Sequence, residues 1–478
     1  MLDVTSKDLE LLIKSYNAEA WPKVKKAYDL AKELHAGQKR DSGEDYIVHP
    51  LNVAYKLAIM HADESTICAG LLHDTLEDTK YKKEDLVNDF GEDVAEIVDG
   101  VTKINKLEFD DEEKADAANI RKIFTSLKDD VRIIIVKLAD RLHNMETLGY
   151  KAKMKQREIA IETLELYVPI AYNIGAYEIK SKLEDLCLQY LKPTVFEDIR
   201  EQRRLVVTER QGMLTHMMQD ISRILIDNKI RSDITPRNKN IYGLFRKISR
   251  GEKIESIDDL MAIKVLVENT RLCYDAKDYI HELYYPVKEK YKDHIKTPKT
   301  NGYQSLHTTL FIGENKFIQT RIRTFDMDKI DTYGICANWF FYRENGTQMM
   351  EHSLRTDYPV YDMVSLLDKL YPDDIDFVHQ LKVEALSDKV FVYMPDGKWM
   401  ELPKGSCVID YAYKLNPELA NHMIASRVNN VVVPVDHLLN TRDRVEILTD
   451  PNGGPNESWE EYAHTSLARR LISEHLKK

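Results

Sequence analysis

Four short segments in the first third of the chain concentrate side chains that bind metal ions: His49-Pro50, His73-Asp74, Glu77-Asp78 and Lys137-Leu-Ala-Asp140-Arg-Leu-His143-Asn144. Neutral imidazole with carboxylate is a mixed donor set, better suited to Mn²⁺, Fe²⁺ or Zn²⁺ than to Ca²⁺. Residues four apart share a helix face, so the spacing predicts His73 and Glu77 on one edge and Asp74 and Asp78 on the next. Asp140 and Asn144 repeat the pattern, with Lys137 a turn before. Such a helix can hold an ion at one turn and offer two carboxylates at the following one. A bound ion lowers the pKa of its water, polarises a phosphoryl oxygen and orients the leaving group. Glu77 or Asp78 could orient or deprotonate that water. Each piece alone has a plain explanation. A His-Asp pair is usually solvated surface, His49 before proline a helix-entry residue, and His35 and His143 ordinary histidines. Together, on three apolar helices, the set costs too much desolvation to be idle. It predicts a metal-dependent phosphohydrolase and leaves the substrate open.

The elements that must position these groups follow from periodicity. Residues 1–195 read as almost continuous helix: Leu51, Val53, Ala54, Leu57 and Met60 recur at three- and four-residue spacing, as do Ile133, Val136, Leu138 and Leu142. The acidic stretch Glu108–Asp116 is expected to be a solvated loop. Glu201–Asp227 still reads as helix, so the character changes only gradually. Between Ile257 and Trp339 the pattern is mixed, with strands at Ala262–Val267, Leu306–Ile312 and Lys316–Thr324. The turn Gly313-Glu314-Asn315 joins the last two, and helices are expected at Lys277–Tyr291 and Met327–Phe341. From Ser387 a small unit begins: strand Lys389–Met394, turn Pro395-Asp396-Gly397, strand Trp399–Glu401, a helix from Ile409, and strands near Ile424–Asn429 and Arg444–Leu448. This is β-grasp-like, and a helical, basic tail, Trp459–Lys478, follows.

The 478 residues carry 68 Lys+Arg against 80 Asp+Glu, a formal charge of −12, so any anionic ligand must be held by a local basic cluster rather than by overall attraction. A content of 43% hydrophobic and 31% charged residues excludes wholesale disorder and fits three or four globular units. No apolar run approaches the ~18 residues of a membrane span, Val131–Val136 being about the longest. The start, MLDVTSKDLELL, lacks the layout of a signal peptide. The five cysteines (68, 187, 273, 336 and 407) stand alone, without a CxxC pair, which argues for a reducing cytoplasm and against a zinc–thiolate site.

The text around the metal-type ligands narrows the substrate. HAGQKRDSGEDYIVHP (35–50), LLHDTLEDT (71–79), FGEDVAEIVDGVTKI (90–104) and VKLADRLHNMETL (136–148) resemble the hydrolase domain of the RelA/SpoT-homologue family, which makes and degrades the alarmones (p)ppGpp. The likeness covers nearly the whole chain. It implies that His49, His73, Asp74 and Asp140 hold Mn²⁺. It also implies that Glu77 and Asp78 are the catalytic carboxylates removing the 3′-pyrophosphate, and that Arg40, Ser42, Tyr46, Lys137, Asn144 and Thr147 line the nucleotide pocket. One departure stands out: the family's Arg-Lys pair is here Arg40-Asp41. Loss of a cation there is expected to weaken binding or alter base preference.

The middle region resembles the same family's pyrophosphokinase domain. Arg237, Lys239 and Tyr242, then Lys247 and Arg250, form an expected cationic helical face suited to a triphosphate. Asp259 matches an acid that binds Mg²⁺ in the family, so Mg²⁺ is possible there. The stretch Asp293 to His307, with Lys299, Tyr303 and Gln304, matches the loop that receives the acceptor guanosine, Tyr303 stacking on its base. The gaps lie at the chemistry. Where the family strand reads Glu-Val-Gln-Ile-Arg-Thr, this chain has Gln319-Thr-Arg321-Ile-Arg323-Thr324, so an amide replaces the second catalytic acid. An amide cannot accept the acceptor's proton and is a poor Mg²⁺ ligand. Asp328, Asp331, Asn338 and Lys264 also depart from the pattern. Synthesis is expected to be crippled or absent, with nucleotide binding retained.

Lys389–Asp450 resembles a TGS domain, in which His422 matches a position linked to recognition of the tRNA end. A solvent-exposed helix-end histidine is the plainer explanation. Long members continue with ribosome-facing and ACT modules. This chain stops at Lys478, as either a natural short form or an excised piece, and ribosome-triggered control is not expected of it as given. The expected architecture is an all-α HD-type hydrolase domain (1–195), an α+β nucleotidyltransferase-like synthetase domain (196–345), a helical linker (346–386), a β-grasp TGS domain (387–450) and the start of a helical tail (451–478). The expected activity is cytoplasmic, Mn²⁺-dependent (p)ppGpp 3′-pyrophosphohydrolysis, yielding GDP or GTP. The alternatives are a bifunctional synthetase/hydrolase, a hydrolase of another nucleotide, and a nucleotide-sensing regulator docking tRNA or a protein through TGS.

Overall fold

A computed structural model describes residues 4–105, 117–118, 120–125, 130–299, 301–313, 316–344, 359–387 and 389–477. The stretch Glu108–Asp116, the turn residues Glu314 and Asn315, and residues 346–358 of the expected linker lie outside the described residues. The chain forms two compact units, one of residues 1–106 with 130–356 and the other of residues 107–129 with 357–478. Among the described residues, no helix is long and apolar enough to cross a membrane.

The first unit begins with helices α1 (Ser6–Tyr16), α2 (Trp21–Leu34), α3 (Val48–Ile59), α4 (Glu64–Leu72), α5 (Thr75–Asp78), α6 (Lys83–Phe90), α7 (Glu92–Asn105) and α8 (Val131–Glu146). Helix α8 is almost wholly apolar over its first turns, apart from the ion-paired Arg132 and Lys137, and every residue from Val131 to Asp140 is buried, so it runs through the middle of the bundle. Asp130 caps its start, accepting from the Arg132 N–H at 2.8 Å. Pro50 falls in the first turn of α3, where no intrahelical N–H is lost. Helices α3 and α4 pack backbone to side chain at Gly70, where a Cβ would meet Leu57 Cδ1 at 2.4 Å.

One element differs from the helical spacing used above. The helix expected to carry both His73 and Glu77 breaks at His73-Asp74, with α4 ending at Leu72 and the four-residue α5 starting at Thr75. Thr75 Oγ1 donates to the Leu72 carbonyl at 2.6 Å, taking up a carbonyl at the end of α4.

Helix α9 (Lys153–Glu162) leads through a π-turn at Thr163–Tyr167 into α10 (Val168–Asn173), then α11 (Tyr177–Leu191) and α12 (Pro193–Asp227). The 35-residue α12 runs unbroken across residue 196. A mixed sheet follows: β1 (Ser232–Asn238), β2 (Met261–Val267), β3 (Lys292–Asp293), β4 (Leu306–Phe311) and β5 (Phe317–Thr324), in the order β1-β2-β5-β4-β3. The central pair β2 and β5 is parallel, opposing Ala262 to Gln319 and Lys264 to Arg321. Leu188 of α11, Phe196, Ile199, Leu214 and Leu225 of α12, and Ile263, Val265, Leu310 and Ile322 of the sheet share one core.

Strand β1 was not anticipated. It contains Pro236, which a sheet tolerates at its edge, and β1 is the edge. Arg237 therefore lies on a strand, not on the helix α13 (Ile241–Ile248) that carries Tyr242 and Lys247. Helix α14 spans Thr270–Leu283, earlier than the expected Lys277–Tyr291, because Asn269 caps it and Pro286 lies just beyond its end. The expected helix Met327–Phe341 is two, α15 (Phe325–Tyr333) and α16 (Ala337–Glu344), separated at Gly334. Gly334 has φ +60°, and a Cβ there would stand 2.1 Å from the Ile174 carbonyl oxygen. Only glycine fits.

The second unit holds α17 (Pro359–Leu370), α18 (Asp374–Leu381), β6 (Lys389–Tyr393), β7 (Trp399–Pro403), α19 (Val408–Leu415), α20 (Pro417–Ala420), β8 (Met423–Val428), β9 (Val431–Val433), β10 (Val445–Thr449), α21 (Ser458–Tyr462) and α22 (Ser466–Leu476). Strands β10-β8-β9 form one sheet and β6-β7 another. Val392, Leu402, Tyr411, Tyr413, Trp459 and Ile472 fill its core. The buried Asp410 carboxylate accepts from the backbone N–H groups of Cys407, His464 and Thr465, fastening α22 to the sheet unit. Arg121, on the 120–125 segment, donates to Asp368 at 2.8 Å and Asp374 at 3.1 Å.

Candidate functional site

The first turn of α3, the α4–α5 break and the middle of α8 bring their polar side chains to one buried point. His49 Nε2 stands 3.2 Å from His73 Nε2, 3.3 Å from Asp140 Oδ1 and 3.6 Å from Asp74 Oδ2. His73 Nε2 lies 3.2 Å from Asp74 Oδ1 and 3.8 Å from Asp140 Oδ1. His49 and His73 are each 1% exposed and Asp140 4%. One donor atom each from His49, His73 and Asp140 falls within a 4.8 Å sphere of mutual distances, which suits a single ion. Two imidazole nitrogens aimed at each other, with carboxylates on both sides, are a donor set that fits a divalent metal ion.

Further groups hold this set. His73 Nδ1 donates to the Gly70 carbonyl at 2.9 Å, so Nε2 is free to offer its electron pair. Asp140 accepts from Lys137 Nζ at 2.9 Å and from Asn144 Nδ2 at 2.5 Å. Burial pushes the Asp140 carboxyl up, but Lys137 and the neighbouring imidazoles outweigh it and hold it well below the usual carboxylate range. Tyr46 OH donates to Asp74 Oδ2 at 2.8 Å and to Asp78 Oδ2 at 3.0 Å, tying α5 to the centre. Burial and these two carboxylates push its phenol far up, so it remains a donor. Glu77 is exposed on α5.

Beside this centre opens a cavity of about 490 Å³, lined by Arg40, Ser42, Tyr46, Asn144 and Thr147 of the expected pocket and by Asp41. Lys137, also expected there, is not in the lining and is buried against Asp140 instead. Arg40 donates to Asn144 Oδ1 at 2.8 Å and Thr147 Oγ1 at 3.5 Å, and Ser42 to Glu44 at 2.9 Å. Sequence reasoning missed Lys151, Lys155 and Arg141, which also line it. The run Lys151-Ala-Lys-Met-Lys155 was the available signal. Asp41 pairs with Lys151 at 2.5 Å, which holds its carboxyl down. The departure at 41 thus fixes a cation from α9's leading edge at the cavity.

The sheet supports a second cavity, of about 650 Å³. Arg237, Lys239, Lys247 and Arg250 line it from one side, and Lys299, Tyr303, His307, Arg321 and Arg323 from the other. The four basic residues meet there although strand, turn and helix supply them separately. Asp259 is engaged by Lys239 at 2.7 Å and Lys247 at 3.0 Å. Burial pushes its carboxyl up, and the two ammonium groups pull it below the ordinary value. Gln319 accepts from Arg321 Nε at 2.9 Å. Arg323, 2% exposed, is held by Asp328 at 2.6 Å and Asp331 at 2.5 Å, and Lys264 by Asp328 at 2.9 Å. Tyr303 is 4% exposed, its OH 2.6 Å from His307 Nε2, and Tyr177 and His294 crowd its ring. Gln304 Nε2 donates to the Ile295 carbonyl at 3.4 Å, and Tyr242 packs on Phe245. In the second unit, His422 is exposed between α20 and β8.

Three family models match: "HD domain" over residues 27–177, "Region found in RelA / SpoT proteins" over residues 236–347, and "TGS domain" over residues 390–449. The chain is 37% identical to a guanosine-3′,5′-bis(diphosphate) 3′-pyrophosphohydrolase of Aquifex aeolicus, over 98% of this chain and 67% of that protein. It is 36% identical to the bifunctional (p)ppGpp synthase/hydrolase SpoT of Escherichia coli, with the same coverage. A GTP pyrophosphokinase of Streptomyces coelicolor is 38% identical over 94% of this chain and 55% of its own length. The chain thus spans about two thirds of the first two relatives. With an HD-type helical bundle, an α+β synthetase-like unit and a β-grasp unit in that order, and with these relatives matching almost the whole of this chain, the chain belongs to the RelA/SpoT family.

Proposed function

We propose that the chain is a Mn²⁺-dependent (p)ppGpp 3′-pyrophosphohydrolase whose synthetase-like region no longer makes alarmone. The observation that carries it is the buried convergence of His49, His73, Asp74 and Asp140 beside a cation-lined cavity. These four residues would hold the ion; their nitrogen-plus-oxygen set suits Mn²⁺, Fe²⁺ or Zn²⁺, and the family resemblance selects Mn²⁺ among them. When bound, the ion supplies Lewis acidity, acidifying water and polarising a phosphoryl oxygen. Arg40, Lys151 and Lys155 bind the phosphates, Ser42 and Thr147 the sugar side, and Lys137 and Asn144 keep the Asp140 carboxylate turned inward. Asp78, aligned by Tyr46, takes the proton of the attacking water, with Glu77 as the second acid of α5. Water oxygen bonds to the phosphorus, the bond to the ribose 3′-oxygen breaks, and that oxygen leaves as a hydroxyl once protonated. The products are GDP or GTP and pyrophosphate.

Loss of synthesis is supported by the state of the second cavity: Asp259 is neutralised twice over, Gln319 is an amide, and Tyr303 is buried. Mg²⁺ binding at Asp259 would first require both lysines to withdraw. The retained cations favour nucleotide binding there, and this favours a second reading, a bifunctional enzyme. The domain boundaries 1–195, 196–345, 346–386, 387–450 and 451–478 remain our working division. The TGS unit, with exposed His422, is the proposed dock for tRNA or a protein. Purified chain given ppGpp in one arm and ATP plus GDP in the other, with Mn²⁺ and Mg²⁺, separates the readings. Hydrolysis without synthesis, and synthesis gained by Gln319→Glu, is the expected result. Robust wild-type synthesis establishes the bifunctional reading, and absence of hydrolysis sinks the first.

A further inference from the structure

The two imidazoles of the metal-binding set are oriented by different partners. His73 Nδ1 donates to a backbone carbonyl, that of Gly70. His49 Nδ1 instead lies 2.8 Å from Nδ1 of His143, a residue with no part in the proposed chemistry. The pair is sealed, His49 being 1% and His143 2% exposed, with ring centroids 5.0 Å apart. Two ring nitrogens in hydrogen-bond contact require that one carries the hydrogen and the other accepts it, unless a metal ion takes the hydrogen's place, as it would between His49 Nε2 and His73 Nε2. His49 Nε2 faces His73 Nε2 and Asp140 Oδ1. For Nε2 to offer an electron pair there, the hydrogen of His49 must sit on Nδ1. His143 Nδ1 must then be the acceptor, with its own hydrogen on Nε2.

We propose that His143 is a positioning residue of the metal centre, a neutral imidazole acceptor that fixes the tautomer and rotation of His49. This rests on the metal reading of the His49–His73–Asp140 group. The usual acceptor behind a ligating histidine is a carboxylate, a carbonyl or water. A neutral imidazole adds no charge to a centre that already holds Asp74 and Asp140. Helix α8 thereby supplies a ligand, Asp140, and three residues later the group that aims a ligand on α3. Register along one helix sets both.

The test uses the full chain stripped of metal. His143→Asn keeps an acceptor oxygen close to the position of Nδ1, whereas His143→Leu keeps bulk and removes the acceptor. Free Mn²⁺ is titrated by its electron paramagnetic resonance signal, and long-range ¹H–¹⁵N spectra of the histidine rings report tautomers. His143→Leu is expected to weaken Mn²⁺ binding about 10- to 100-fold, and His143→Asn to stay within about threefold of wild type. With diamagnetic Zn²⁺ loaded for the spectra, wild-type His49 should show hydrogen on Nδ1 and His143 hydrogen on Nε2, and His143→Leu a mixture at His49. Wild-type binding strength in His143→Leu overturns the proposal. So do equal losses in both variants with unchanged metal-free Tm. Should His143→Leu fail to fold, the Zn²⁺-loaded wild-type spectrum still decides, since hydrogen on His143 Nδ1 or on His49 Nε2 overturns it. A wild-type chain that binds no Mn²⁺ refutes the metal reading itself, whereas tight binding by wild type and His143→Leu alike refutes only the positioning role.

Discussion

The hydrolase centre and the sheet cavity contain similar ingredients, buried acids among nitrogen donors, and arrange them in opposite senses. In the first, lysine and asparagine approach Asp140 while the imidazoles leave their Nε2 atoms aimed at a common point. In the second, each acid closes on a cation: Asp259 on Lys239 and Lys247, and Asp328 and Asp331 on Arg323. Buried charge is tolerated only when compensated. A site compensated entirely from within has nothing left to offer a metal ion, and one compensated in part keeps a demand for it.

The largest effect that would sharpen this contrast is His73→Ala. Stoichiometric Mn²⁺ binding and ppGpp hydrolysis should both fall to background, and persistence of either would break the comparison. Asp78→Asn comes next. Its hydrolytic kcat should drop about 10²- to 10⁴-fold, as for loss of a general base, while Mn²⁺ affinity changes little. Tyr46→Phe removes the hydroxyl that bridges Asp74 and Asp78. A loss of about 1–3 kcal/mol in alignment, read as roughly a tenfold or greater fall in kcat, is expected. Smallest is Lys151→Ala. Its partner Asp41 is more than half exposed, at 57%, so the pair is worth no more than about 1 kcal/mol. KM for ppGpp should rise less than about fivefold, and the difference should shrink in high salt.

Much of this was legible beforehand because the signals were local. The unbroken apolar face of α8, the alternation in β5 and the β-grasp turn at Pro395-Asp396-Gly397 are properties of neighbouring residues. Both sets of ligands sit within a few positions of those elements. What escaped depends on pairing across the chain. Strand β1 owes its place to β2, against its own Pro236. The break at His73-Asp74 is set by packing, since both residues retain helical backbone angles. Nothing local marks His143 as the partner of His49, 94 residues earlier. The pairing of Lys151 with Asp41 was equally silent, although the run from Lys151 to Lys155 marked cations near the cavity.

The interlock at Gly334 bears on what the synthetase-like region does for the helical bundle beyond any chemistry of its own. The Ile335 N–H donates to the Ile174 carbonyl at 2.9 Å, and Trp339 Nε1 donates to Asp63, the residue that caps the helix ending at His73. These contacts are needed whether or not pyrophosphate transfer is retained, because the helix that leads to His73 leans on them. Substitutions around the second cavity, at positions such as 319 and 328, should therefore be tolerated structurally, and those at 334 and 339 should not. Whatever its own chemistry, the synthetase-like region is built into the metal centre's helices as a buttress.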